Sequence, residues 1–224
     1  MRIPELRGNP VAALGVGLIM GPTERDVSFS VNFDYRCPFA RNANEHVVAA
    51  LEAGSRWQVR FVPFSLSQAH VAEGDASVWD RPEKRAELVA IAAGVVVRDR
   101  FAERFRAAHL SLFAARHDAG GDLRSDDVVR RALDQADVDP DSVFAELDAG
   151  WPFAVLRDEH ERSVAEHEVF GVPTFVLEGR AAFVRIMTRP LGDAARAEGT
   201  ISRVIDLLSG APELNEFKHT TIDR

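Results

Sequence analysis

Residues 27–40 read VSFSVNFDYRCPFA. From Val27 to Phe33 apolar and polar residues alternate, the period of a strand with one face toward a core. After the loop Asp34-Tyr35-Arg36-Cys37 comes Pro38, which suits a first helical position because its missing N–H would be unpaired there anyway. The stretch therefore predicts a strand, a short loop and a helix that runs to about Ala53 and stops at Gly54. Trp57 to Phe64 (WQVRFVPF) reads as a second strand ended by Pro63. Strand, helix, strand in that order implies a parallel pair joined by a crossover.

Downstream, residues from Pro82 to Phe113 keep helical spacing through Leu88, Ile91, Val95, Phe101, Phe105 and Leu112, until Gly120-Gly121 breaks it. Ser125 is placed to cap a helix to Ala136, and Asp139-Pro140 to open another to Ala149. Trp151-Pro152 punctuates, and a charged amphipathic helix is expected over Val155 to Val169. Phe170-Gly171-Val172-Pro173-Thr174-Phe175-Val176-Leu177 reads as a turn, a proline and an apolar strand. An antiparallel partner is expected at Phe183 to Ile186 across a turn at Gly179, then a final helix from Asp193 to Leu208. No internal repeat or low-complexity tract is visible. The order β-α-β, helices, β-β-α predicts an α/β fold with an all-helical insertion: residues 25–66 and 170–210 form one domain, 67–169 the insertion and 211–224 a polar tail.

The chain has 224 residues, enough for one domain with an insertion and a sizeable core. With 46% hydrophobic and 28% charged residues it has the balance of a globular protein. A net charge of −8 argues against nucleic acid or an anionic membrane as partner, because both need a basic face. A single cysteine rules out an intramolecular disulfide and favours a reducing, cytoplasmic setting. Residues 1–24 are read as a poorly ordered extension or a misassigned start. Arg2, Arg7 and the apolar run Val11 to Met20 keep a secretory signal as the alternative, although glycines interrupt the run and no small-x-small cleavage site follows. Gly15, Gly17 and Gly21 lack the spacing and the preceding strand of a dinucleotide-binding loop.

The only cysteine, Cys37, falls at the N-cap of the first helix, where Ser, Thr, Asp or Asn would cap better. A thiolate, however, gains there from free amides and the helix dipole. The dipole supplies roughly 0.3–1 kcal/mol at an exposed helix end, rising to about 2 when partly buried. That is about one pKa unit, so further positive charge is needed for full ionisation at neutral pH. Arg36 and Arg41 flank the site. Either they support an anion, making Cys37 more acidic than a free cysteine, or they are solvated. The alternative for Cys37 itself is a small buried apolar side chain.

Phe33 to Ala40 (FDYRCPFA) after a strand, with Gly171 to Val176 (GVPTFV) far downstream, resembles the DsbA-like branch of the thioredoxin superfamily. That branch includes the kappa-class glutathione transferases and the 2-hydroxychromene-2-carboxylate isomerases, and the similarity spans about Val27 to Leu208. The resemblance implies a thioredoxin fold and makes Cys37 the attacking residue. It makes Pro173 a cis-proline beside the sulfur and Val172 the residue that offers its backbone to an extended substrate. Pro38, Phe39 and Thr174 join these as expected substrate contacts, with Asp34, Tyr35 and Arg41 in support at the mouth. One departure matters: the redox members carry a second cysteine where this chain has Ala40. With no internal thiol, three readings stay open. Cys37 exchanges through a mixed disulfide with a small thiol such as glutathione or mycothiol, or it orients a bound thiol cofactor as the isomerase and transferase members do, or the fold serves a binding protein. The expected partner is thus a small thiol or thiol/disulfide substrate, with oligomeric state open.

Competing constellations are weaker. His160 and His167 lie seven apart on a Glu-rich helix, not at the three-or-four spacing of helical metal pairs, and read as solvated. His109 and His117 read as surface positions. Phe101, Phe105, Phe113 and Trp79 read as core, with an apolar cleft facing Cys37 as the alternative. No metal cofactor is expected.

Overall fold

The computed structural model describes residues 26–219, so the expectation for residues 1–24 lies outside the described residues. The first strand, β1 (Val27–Phe33), and the first helix, α1 (Pro38–Glu52), fall where the alternation and Pro38 place them. Gly54, at φ 100°, ends the helix in a conformation that glycine adopts without a Cβ clash. The second strand, β2 (Trp57–Pro63), pairs with β1 in parallel from Val27↔Trp57 to Phe33↔Pro63.

Between the two halves of the sheet lie α2 (Leu66–Ala69), α3 (Val89–Arg100), α4 (Phe105–His117), α5 (Asp126–Asp134), α6 (Pro140–Asp148) and α7 (Trp151–His167). Then follow β3 (Thr174–Leu177), β4 (Arg180–Phe183) and α8 (Ala194–Gly210). The sheet order is β2-β1-β3-β4, with β3 antiparallel to both β1 and β4. Together these elements are a thioredoxin fold carrying many helices. α1 packs on α8 and α4, while α3 packs on α4, α6 and α7. Every residue of α3 from Val89 to Val97 is buried. An apolar helix surrounded on all sides is the core of the helical part.

Four local expectations are corrected. The continuous helical spacing from Pro82 to Phe113 is interrupted. Pro82–Glu87 is a 3-10 turn, and at Phe101 (φ −131°, ψ 49°) the chain leaves the helix before a second 3-10 turn at Ala102–Arg104. An unbroken helix of that length would extend about 50 Å, whereas the break lets α4 fold back on α3. α7 begins at Trp151 instead of Val155, because Gly150 (φ 82°) turns the chain and Pro152 costs nothing in a first turn. The partner of β3 is Arg180–Phe183, not Phe183–Ile186. Glu178 (φ 50°) and Gly179 (φ 79°) make a two-residue turn that sets Arg180 opposite Leu177. Finally, the C-terminal end of β1 is covered on both faces: Asn32 is 1% exposed, and its Nδ2 donates to Ser163 Oγ of α7 at 3.1 Å.

Candidate active site

Cys37 is the N-cap of α1, in extended conformation, and its Sγ accepts from the Ala40 N–H at 3.4 Å. The Val172–Pro173 bond is cis. The Cys37 thiol donates to the Val172 carbonyl oxygen at 3.3 Å, joining the start of α1 to the turn before β3. The turn is held from within, since Thr174 Oγ1 donates to the Gly171 carbonyl at 2.8 Å and Val184 N–H to the Pro173 carbonyl at 3.0 Å. Pro38 is exposed and Phe39 half-buried beside the sulfur, with the Arg185 guanidinium 5.5 Å from the Phe39 ring centroid. Phe170, exposed at 70%, rests on Phe183 with ring centroids 5.2 Å apart.

The electrostatics run against an acidic thiol. Burial pushes the Cys37 thiol up, the amides of Ala40 and Phe39 offset part of this, and the nearby Asp34 carboxylate adds to the rise. The reading in which Cys37 is more acidic than a free cysteine is corrected on that ground. Donation of S–H to the Val172 carbonyl acts the same way, because only the neutral thiol can make that bond. The flanking arginines do not rescue the anion. Arg41 is only 8% exposed and pairs with Glu45 at 2.9 Å and with Asp118. Arg36 pairs with Asp34 at 3.2 Å and Glu87 at 3.8 Å. Arg41 is therefore a strut between α1 and the end of α4, not a support for the sulfur.

Asp34 and Tyr35 build the loop rather than its mouth. The Asp34 carboxylate accepts from Arg36 N–H and from Leu66 N–H, both at 2.9 Å, tying the loop to the start of α2. Tyr35 is 1% exposed, its hydroxyl 2.9 Å from His109 Nδ1 and its carbonyl 2.9 Å from His117 Nε2. Its hydroxyl lies where Gly94 of α3 leaves room: a Cβ there would stand 2.3 Å from the oxygen.

The histidines are corrected too. His109 is fully buried among Phe33, Phe61, Phe105 and Phe113, and burial lowers its pKa to about 3. His160 is buried against Phe64 and Trp79, accepts from the Ser65 N–H at 3.2 Å, and is lowered by burial to about 4. Phe105 and Phe113 belong to this buried cluster and not to a cleft facing Cys37. Sequence reasoning missed Asn44 and Gly94 and misplaced His109 at the surface. Only Gly94 left a signal, as a glycine inside an otherwise apolar helical run. Among the described residues no group of three or more His, Cys, Asp or Glu is placed to hold a metal ion. No described helix is long and apolar enough to cross a membrane.

A helix-capping thiol beside a cis-proline on this sheet order defines a thioredoxin-like protein of the thiol-handling type. The DSBA-like thioredoxin domain family matches residues 30–188, and the chain belongs to that family. The fold is similar to that of a probable DsbA oxidoreductase from Streptomyces coelicolor (16% identity, 88% of this chain and 94% of that chain, TM-score 0.56). It is also similar to the cytosolic disulfide reductase DsbM from Pseudomonas aeruginosa, solved with GSH (15% identity, 81% of this chain and 100% of that one, TM-score 0.55). The oxidoreductase NmDsbA1 from N. meningitidis is a third such neighbour (15% identity, 88% of each chain, TM-score 0.52). A search of curated protein sequences finds no match.

Proposed function

We propose that this protein is a single-cysteine thiol-disulfide oxidoreductase that exchanges with a low-molecular-weight thiol, glutathione or mycothiol, through Cys37. The observation that carries the reading is the 3.3 Å contact between Cys37 Sγ and the Val172 carbonyl, which sets the chain's one thiol against the Val172-Pro173 edge. Cys37 loses its proton to solvent, and the thiolate attacks one sulfur of a disulfide RS–SR. The Cys37–SR bond forms, the S–S bond breaks, and RS⁻ leaves. The thiolate of the low-molecular-weight thiol, R′S⁻, then attacks the R sulfur of the mixed disulfide: the R′S–SR bond forms, the Cys37–SR bond breaks, and the Cys37 thiolate returns. Pro38, Phe39 and Thr174 frame the docking edge with Val172 and Pro173. Ala40 leaves no second thiol in the chain, so release depends on a thiol from outside. That dependence fits a reducing compartment such as the cytoplasm.

The burial of Cys37 favours a second reading in the same family, in which the neutral thiol orients a bound thiol cofactor without a covalent link. The Ala40→Cys variant separates them. Under the exchange reading it recreates a C-P-x-C pair across the first turn of α1 and gains insulin-reducing activity that the parent lacks. A parent already as active as the variant overturns the single-cysteine mechanism, and a variant that forms an internal disulfide yet stays inactive favours the cofactor-orienting reading.

A further inference from the structure

The loop that carries Cys37 is joined to the inserted helices by hydrogen bonds that run in one direction. Tyr35 Oη lies 2.9 Å from His109 Nδ1, and His109 Nε2 lies 3.0 Å from Asn44 Oδ1. Asn44 Nδ2 donates to the Ala40 carbonyl at 2.8 Å. The N–H of that same peptide unit, on Arg41, donates to the Cys37 carbonyl at 3.0 Å. Only one placement of hydrogens serves all four contacts. Turning the Asn44 amide would press its oxygen against the Ala40 carbonyl, so Oδ1 must face His109 and needs a donor there. His109 therefore carries its proton on Nε2, and its bare Nδ1 accepts from the Tyr35 hydroxyl.

Exposure is 1% for Tyr35 and zero for Asn44 and His109, so water does not replace a lost partner. An unmade bond in such a place leaves a buried polar group with its desolvation penalty uncompensated, and bonds donated in series strengthen one another. The run ends on the first turn of α1, where the Ala40 N–H meets the sulfur at 3.4 Å.

We propose that His109 is a positioning residue for Cys37: through Asn44 it holds the Ala40 peptide, and with it the turn whose amide supports the sulfur anion. The inference rests on the reading of Cys37 as the reacting group. It explains why a polar side chain stands inside a cluster of phenylalanines, and why α3 keeps a glycine opposite the Tyr35 hydroxyl.

The test is the rate of Cys37 alkylation by iodoacetamide against pH in the full chain, with a circular-dichroism melt for each variant. His109→Phe keeps an aromatic ring but removes both bonds, and Asn44→Leu removes the next link at similar volume. Loss of a held amide slows alkylation below the midpoint about threefold in either variant. The double variant is no slower than either single one, because both cut the same run. Leu112→Ala, on the same face of α4 and fully buried, lowers the melting temperature but leaves the alkylation profile in place. If His109→Phe fails to fold, Tyr35→Phe removes only a hydroxyl and shows the same slowing in smaller measure. Unchanged alkylation in the folded variants, or additive effects in the double variant, overturns the proposal. The readout needs no substrate, so it fails separately from disulfide exchange.

Discussion

Cys37 Sγ and the Val172 carbonyl oxygen stand 3.3 Å apart although 135 residues separate them in the chain. The contact joins the first half of the sheet to the second across the whole helical insertion. It also sets the resting state of the sulfur, since a carbonyl accepts from S–H but repels a thiolate.

The thiol should accordingly titrate above an ordinary cysteine, because burial outweighs the amides of Ala40 and Phe39. Alkylation of the native protein by iodoacetamide across pH is expected to show a midpoint on the alkaline side of the free-cysteine value. Urea-unfolded protein should return to about 8.5. A native midpoint below the unfolded one would show that the helix end prevails.

Removing the Arg41 charge tests stability rather than the sulfur. Arg41→Met keeps the buried stem but leaves Glu45 and Asp118, which Arg41 now shares with Arg189, to Arg189 alone. The expected loss in unfolding free energy is about 2 kcal/mol, below the cost of stripping a fully buried pair. The Cys37 alkylation midpoint should stay where it is. A rise in that midpoint would restore Arg41 as electrostatic support.

Buried His109 and His160 give a signed pH dependence. Their folded pKa values, about 3 and about 4, lie below the unfolded value near 6.5. As pH falls through 6.5 the unfolded chain takes up protons before the folded one. Stability is therefore complete above that pH and declines below it until the folded values are reached. Each histidine contributes a slope of up to about 1.4 kcal/mol per pH unit in that window. Urea unfolding at pH 7, 6 and 5 should follow this decline, and His160→Gln should flatten it. Equal slopes in parent and variant would mean that His160 is protonated in the folded protein.

Local signals in the sequence carried much of the fold. Alternation located β1, Pro38 located α1, and Gly54 ended it, because each acts through its own backbone. The turn Glu178-Gly179 was not legible in the same way: two positive φ values set the β3–β4 register, and Glu178 does not announce one. The break at Phe101 depends on α4 folding back on α3, a tertiary cause with no local marker. Of the candidate site, Cys37, Val172 and Pro173 came from the family resemblance carried by FDYRCPFA and GVPTFV, and they meet in space. Arg41 and Tyr35 misled, since sequence proximity to Cys37 says nothing of partners such as Asp118 and His109 that lie more than seventy residues away.

The central claim is exchange through one cysteine with no internal resolution. Mass spectrometry of the intact protein after incubation with glutathione disulfide at mildly alkaline pH measures it most directly. One glutathione adduct per chain, located on Cys37, is expected to persist after the reagent is removed and to leave only when free thiol is added. Protein that stays unmodified at Cys37 across the whole titration range of the thiol would contradict the account.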